Sequence, residues 1–514
     1  MKQQLTILLL VLLVSFSSYS QEKRYEPTEQ SLNTYEIPDW FKDAKFGIYT
    51  HWGPVSSVYE GTDPNKWYSG WHGMLMYSDG KVVPTKNGKP ANNYLHHVKK
   101  YGKPSKKGYI EIIEDFKPSA FDAAEWAELF KLSGAQFAGP VAMHHDNFAM
   151  WDSKATRWNS MNYGGIDPSA GLKKEIEARG MKFMASFHHA FTWKFFAPAH
   201  AHGNIKEKDY DLYTTPHELD SETPGERFYA EWWEKLKEYI DVYQPDLIWF
   251  DWWLENLDEE TRFKFLSYYY NKAEEWGKEV GVAYKEATFT EEMAIKDYER
   301  GRPNQPKQPA WLTDTSPGAW FYRPNAKFKS ANELIDVLVD IVAKNGLMLL
   351  NVPPNPDGSI LEEMVSLLKE MGEWLEVNGE AIYGTRPWTV FGEGPTRLSE
   401  GGHKVEETLK IAYTHRDIRY TKRSDKEFFA IVMDDPSEKI VMKTLSTHLG
   451  ALNSEILKVE LLGSDEKIVW ERNETGLVID VPLKLEPGHA YAFRILMRGY
   501  TENDIGGNAE AHID

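Results

Sequence analysis

GERFYAEWWEKLKEYIDVYQPDLIWFDWW, residues 225–253, holds a helix and a strand in one continuous run. From Gly225 to Val242 apolar residues recur at spacings of three and four, the period of an amphipathic helix. Leu247-Ile248-Trp249-Phe250 follows as a short apolar run and ends at a carboxylate, Asp251. The same alternation extends in both directions over residues 35 to 355. Further strands are expected at Lys45–His51, Phe137–His144, Lys182–His188, Val280–Lys285 and Leu347–Val352. Helix-like stretches lie at Phe121–Ser133, Gly171–Ala178, Glu259–Trp276 and Ser330–Val342, with Asp122 as an N-cap. Strand–helix alternation over about 300 residues implies a parallel sheet, and closure into a (β/α)8-like barrel fits the length. A doubly wound sheet is the alternative, but no Gly-rich phosphate loop follows the first strand.

Gly61 to Lys107 is polar and rich in Gly, Pro, Asn and Lys, and reads as a long insertion after the first strand. Beyond residue 385 the pattern changes to short strands with turn residues between them: Thr408–Thr414, Glu427–Met433, Ile456–Leu462 and Tyr491–Met497. That pattern predicts a C-terminal antiparallel β-sandwich domain. At the N-terminus, Met1-Lys2, an apolar run from Leu5 to Val14, and Ser17, Ser18 and Ser20 have the layout of a signal peptide. The expected division is a signal peptide over 1–20, a catalytic barrel over 30–385, a sandwich over 386–500 and a loose tail over 501–514.

The 514 residues contain no Cys, which removes disulfides and thiolate metal sites. An exported chain without disulfides suits a bacterial periplasm or exterior. The formal net charge of -19 repels nucleic acid and anionic membranes, so neither is an expected partner. Aromatics reach 14%. Their faces pack against sugar rings as well as filling cores.

Catalytic groups of a barrel sit at the C-terminal ends of its strands. These ends read Thr50-His51-Trp52-Gly53, His144-His145-Asp146-Asn147, His188-His189 and Trp249-Phe250-Asp251-Trp252-Trp253. Desolvating a carboxylate after an apolar run is costly unless it has a task, so Asp251 is the candidate nucleophile; the competing reading is an N-cap. The histidines and Asp146 are also zinc-type donors. Adjacent histidines on a strand point to opposite faces, leaving one inward ligand per pair, and donation to sugar hydroxyls is the better use. Glycoside hydrolysis needs a second carboxyl group. Asp297 and Glu299, in Asp297-Tyr298-Glu299-Arg300 after the fifth strand, are the candidates.

Several of these motifs resemble the α-L-fucosidases, family 29 of the glycoside hydrolases. They are Lys45 to Gly53, Phe121-Asp122 with Trp126-Ala127 and Gly134-Ala135, His144-His145-Asp146 with Phe148 and Trp151, Trp249-Phe250-Asp251, Leu350-Asn351-Val352 with Pro356-Asp357-Gly358, and Ile382-Tyr383-Gly384-Thr385. The resemblance implies an exo-acting retaining hydrolase of terminal α-L-fucose on oligosaccharides or glycoconjugates, without metal or cofactor. It implies Asp251 as nucleophile, His51, His144 and His145 as ligands of fucose hydroxyls, and Trp67, Trp249 and Trp320 as pocket walls. By its place in the Tyr298-Glu299-Arg300 stretch, Glu299 is the expected general acid/base, with Asp297 as the alternative. Three positions depart from the family: Lys66 where Glu is frequent, Asn147 where Gly is frequent, and Phe187 at the place of a pocket Tyr. They leave room for a related sugar such as α-L-galactose. A non-catalytic glycan-binding barrel would need neither carboxylate.

Overall fold

The structure is a computed structural model that describes residues 25–59, 69–77, 92–217, 223–396, 412–436, 438–483, 485 and 488–499. The expected signal peptide, Lys66, Trp67 and the expected tail lie outside the described residues. So does most of Thr408–Thr414, whose described part, 412–414, is not a strand.

Eight parallel strands form the N-terminal sheet: β1 Phe46–Thr50, β2 Phe137–Met143, β3 Lys182–Phe187, β4 Leu247–Phe250, β5 Gly281–Tyr284, β6 Ile295–Lys296, β7 Trp311–Thr315 and β8 Gly346–Asn351. Their order is β6-β5-β4-β3-β2-β1-β8-β7. The remaining seam closes through a parallel bridge between Asp297 and Leu312. The Tyr298 N–H donates to the Leu312 carbonyl and the Arg300 N–H to the Asp314 carbonyl, both at 2.9 Å. The ring is therefore a (β/α)8-like barrel whose closing stitch is the Asp297–Arg300 stretch itself. That stretch does not follow the fifth strand as expected; it continues a sixth.

Among the described residues six longer helices surround the ring: α1 Ala123–Leu132, α2 Pro168–Ala178, α3 Glu226–Tyr243, α4 Glu259–Trp276, α5 Ala331–Ala343 and α6 Glu362–Asn378. Asp122 caps α1 by accepting the Ala124 and Glu125 N–H groups, and Ser330 with Glu333 forms a full capping box on α5. Among the described residues no helix follows β5 or β6 directly. The strands are buried on both faces, as a barrel wrapped by helices requires. Inward residues such as Phe137, Met184, Leu247, Trp249, Ile295 and Leu312 fill the interior as one apolar cluster, while Ile48, Ile248 and Phe250 pack outward against the helices.

The C-terminal strands are β9 Arg386–Glu393, β10 Ile418–Ser424, β11 Glu427–Val432, β12 Ile440–Met442, β13 Ile456–Leu461, β14 Trp470–Arg472, β15 Leu477–Ile479 and β16 Tyr491–Met497. They form antiparallel sheets of order β13-β16-β11-β10-β9 and β12-β15-β14. The two sheets share one apolar core that includes Tyr420, Phe428, Met442 and Ile479. This sandwich is bolted to the barrel by charge. Asp340 of α5 accepts from Arg419 of β10 at 2.7 Å and from Lys344 at 2.8 Å, and lies 3.3 Å from Arg302.

Candidate active site

Strand alternation delivers the site. Leu247 and Trp249 point into the barrel, so the next residue on that face is Asp251, at the mouth. The same step of two leads from Tyr49 to His51, from Ala283 to Lys285, from Leu312 to Asp314 and from Leu349 to Asn351. On β6 it leads from Ile295 to Asp297 and then Glu299, which places Asp297 one layer deeper than Glu299. The β2–β3 register shifts between Val141 and Met143. Past that irregularity both His144 and His145 line the cavity, so this pair breaks the rule of one inward histidine. The third pair obeys it: His188 faces in, while His189 turns away and stacks on Trp232.

The resulting cavity has a volume of about 530 Å³. Asp251, Glu299 and Lys285 lie at its floor, His51, His144 and His188 on one side, and Trp249, Trp252 and Trp320 among its aromatic walls.

Asp251 accepts from two donors, and a third side chain stands beside it. His188 Nδ1 donates to Oδ2 at 3.0 Å, Lys285 Nζ donates to Oδ1 at 3.0 Å, and His145 Nε2 stands 3.5 Å from Oδ2. Burial alone would raise the Asp251 carboxyl. Lys285 and the two histidines outweigh it and hold the group well below the usual carboxylate range. Asp251 is thus an ionised, oriented carboxylate with 13% of its side chain exposed.

Glu299 Oε2 accepts from the same Lys285 nitrogen at 2.9 Å and from the Trp252 indole N–H. Bonds of 3.0 and 2.9 Å to one nitrogen cannot leave the Asp251 and Glu299 oxygens further apart than about 6 Å. Retaining glycosidases hold their carboxyl pair about 5–5.5 Å apart, inverting ones about 6.5–9.5 Å.

Asp297 is fully buried and does not line the cavity. It accepts the Asp314 N–H at 2.9 Å and the Trp249 indole N–H at 3.3 Å. Burial and the neighbouring Asp314 push its carboxyl well above the ordinary value. Asp314 is raised by burial too, and accepts the Tyr49 hydroxyl at 2.9 Å.

Asn351 sets two walls at once. Its Oδ1 accepts the His51 backbone N–H at 3.1 Å and pairs with His51 Nδ1 at 2.9 Å, while its Nδ2 donates to the Trp320 carbonyl at 2.7 Å. The Arg300 guanidinium covers the Trp320 ring at 4.4 Å. Burial holds His51 and His144 well below the ordinary histidine value and His145 down to about 4, so all three are neutral rings at neutral pH. Neutral imidazole both donates and accepts, which suits sugar hydroxyls. His145, His188 and Asp251 bring metal-type donor atoms together. Both His188 nitrogens are already engaged, Nδ1 by Asp251 and Nε2 by Ser186 Oγ at 2.8 Å. Asp146 turns away from the cavity to Tyr109.

The family model for α-L-fucosidase matches residues 12–380, and that for the α-L-fucosidase C-terminal domain matches residues 412–496. The chain belongs to the α-L-fucosidase family. An α-L-fucosidase of Dictyostelium discoideum is 26% identical over 520 residues, covering 96% of this chain and 99% of that protein. The human plasma α-L-fucosidase is 27% identical over 481 residues, 89% of each chain. The crystal structure of Thermotoga maritima α-fucosidase superimposes with a TM-score of 0.69 at 26% identity, covering 92% of this chain and 100% of that one. That enzyme has also been solved with fucose and with a mechanism-based inhibitor.

Against this α-L-fucosidase frame, two departures acquire structural reasons. Asn147 adopts a left-handed backbone, φ 61°, which asparagine tolerates better than most residues and glycine tolerates freely. Phe187 is not a pocket residue: it packs outward on Tyr239, ring centroids 5.1 Å apart, and His188 occupies the pocket side instead. Lys285 and Asn351 are site residues without a role in the sequence reading, and His188, expected there only as a donor to zinc or sugar hydroxyls, here holds Asp251. The strand-end rule reaches Lys285 and His188; Asn351 lies within a family motif, but only coordinates show what it holds.

Proposed function

We propose that Asp251 is the nucleophile and Glu299 the general acid/base of this α-L-fucosidase, a retaining glycoside hydrolase that releases terminal fucose from a fucosylated glycan. The observation that carries this reading is the pair of carboxylates on one ammonium, with one oxygen of each within about 6 Å of the other, in a cavity walled by histidine and tryptophan. An Asp251 oxygen attacks the anomeric carbon as the glycosidic C–O bond breaks, and Glu299 gives its proton to the departing oxygen. The intermediate is an ester of Asp251. Glu299, now a carboxylate, takes a proton from water, which attacks the same carbon and releases Asp251. Two inversions give retention.

His51, His144 and His145 are read as partners of sugar hydroxyls, and Trp249 and Trp320 as walls against the ring; Trp67 keeps that role by resemblance alone. The net charge of -19 favours a neutral glycan over nucleic acid or an anionic membrane. Among the described residues no helix is long and apolar enough to cross a membrane. The layout of residues 1–20 supports export to a bacterial periplasm or exterior, and the change at 385/386 supports a barrel and a sandwich as separate domains.

The test is hydrolysis of nitrophenyl α-L-fucoside beside nitrophenyl α-L-galactoside and other nitrophenyl glycosides, with the configuration of the first-formed sugar followed by NMR. Release of α-configured fucose is expected. Release of the β anomer, or preference for another glycoside, contradicts the reading.

A further inference from the structure

The double displacement asks two neighbouring carboxylates to be in opposite states at one moment, Asp251 ionised and Glu299 protonated. Carboxylates this close in a buried site ordinarily settle the matter themselves, because the charge on one keeps the proton on the other. Here a cation stands between them. Lys285 is 1% exposed, at the inward end of β5. Its Nζ lies 3.0 Å from Asp251 Oδ1, 2.9 Å from Glu299 Oε2, and 3.3 and 3.4 Å from the Asp314 oxygens. An ammonium has three N–H groups, and three carboxylates take them. Trp249 and Trp252 hold it from the side, their ring centroids 4.7 and 5.4 Å from Nζ.

Resting on the roles given above, we propose that Lys285 is a positioning residue that fixes both carboxylates and sets the resting enzyme for its second step, with Glu299 as base, so that unactivated fucosides must be cleaved at lower pH than activated ones. Glu299 Oε2 already accepts two N–H donors, from Lys285 and Trp252. A protonated Glu299 keeps both only with its proton on Oε1. The groups facing this centre are Asp251 from β4, Asp297 and Glu299 from β6 and Asp314 from β7, with His145 and His188 on the far oxygen of Asp251 and Tyr49 on Asp314. Burial and Asp251 raise Glu299, yet Lys285 and Trp252 outweigh them and leave it below its ordinary value. Burial would lower Lys285, but these carboxylates, Asp314 foremost, hold it well above the usual lysine range, so its charge persists. Esterification of Asp251 removes one negative charge while Lys285 stays, which favours ionised Glu299 as the water-activating base.

Nitrophenolate leaves without a proton, so its fucoside needs Glu299 only as base; a fucosyl disaccharide needs the acid form first. The experiment records kcat/KM against pH for both substrates in the wild type, Lys285→Met and Lys285→Arg, with circular dichroism on each. In the wild type the alkaline limb for the disaccharide should lie about 1 pH unit or more below that for the nitrophenyl fucoside. Lys285→Met should move the disaccharide limb up by a similar amount, and Lys285→Arg, which keeps the charge, should leave it near the wild-type position. Coincident limbs for the two wild-type substrates overturn the proposal, and need no variant. So does a Lys285→Met limb unmoved in folded protein. Azide rescue of Glu299→Ala, measured alongside, tells the two failures apart: rescue with coincident limbs leaves the acid/base role standing and removes only that of Lys285.

Discussion

The Asp297 carboxylate accepts the backbone N–H of Asp314 across the seam where the barrel closes, at 2.9 Å. Asp297 therefore serves the ring itself, while Glu299, two residues on and on the same face, reaches the mouth. Glu299→Ala should lower turnover of a fucosyl disaccharide by about 10²–10⁴-fold and that of nitrophenyl fucoside far less. Azide should restore the latter and yield a fucosyl azide of the substrate's own anomeric configuration. Asp297→Ala should instead lower thermal stability and show no azide rescue. Rescue of Asp297→Ala with none for Glu299→Ala would move the role two residues back.

Prolonged dialysis against EDTA should leave activity unchanged. Several of the nitrogens that could serve a metal are committed elsewhere: His51 Nδ1 to Asn351, His145 Nδ1 to the His188 carbonyl, and both nitrogens of His188 to Asp251 and Ser186. Loss of activity that zinc restores would show that these bonds give way to a metal.

The joint between barrel and sandwich should weaken with alkali. Burial and nearby Asp434 raise Asp336 of α5 to about 8. An unfolded aspartate titrates at about 4, so between about 4 and 8 the folded state binds the extra proton. Stability from this group is fully present below that window and is lost as pH rises through it. Asp336→Asn should flatten the fall in melting temperature between pH 5 and pH 8, by a few degrees at the alkaline end. An equally steep fall in the variant would place the pH sensitivity elsewhere.

What the sequence revealed follows signal length. Helix α4 and strand β16 match their expected bounds, because 18 residues of helical period and seven of dense apolar character leave little choice. Strand β6 has two residues, and β7 reads Trp-Leu-Thr-Asp-Thr, too polar to mark a buried strand. Missing them misplaced Glu299 relative to the ring, although its selection rested on family position and not on strand count. Asp251 was visible because an acid closing an apolar run is conspicuous. Lys285 closes a run just as apolar, but a terminal lysine ordinarily reads as solvated; only the convergence of three carboxylates on it, from strands distant in sequence, reveals a buried one. Asn351 likewise has no local signature, since its partners lie 300 and 31 residues away.

The most direct test is to catch the covalent intermediate. An α-L-fucosyl fluoride carrying a second fluorine at C2 loses fluoride readily, while the C2 fluorine slows departure from the enzyme, so the ester accumulates. Inactivated protein is digested with pepsin and its peptides are weighed and sequenced by mass spectrometry. One fluorofucosyl group per chain on Asp251, with no label taken up by Asp251→Gly, is the predicted result; a label on another residue would contradict it.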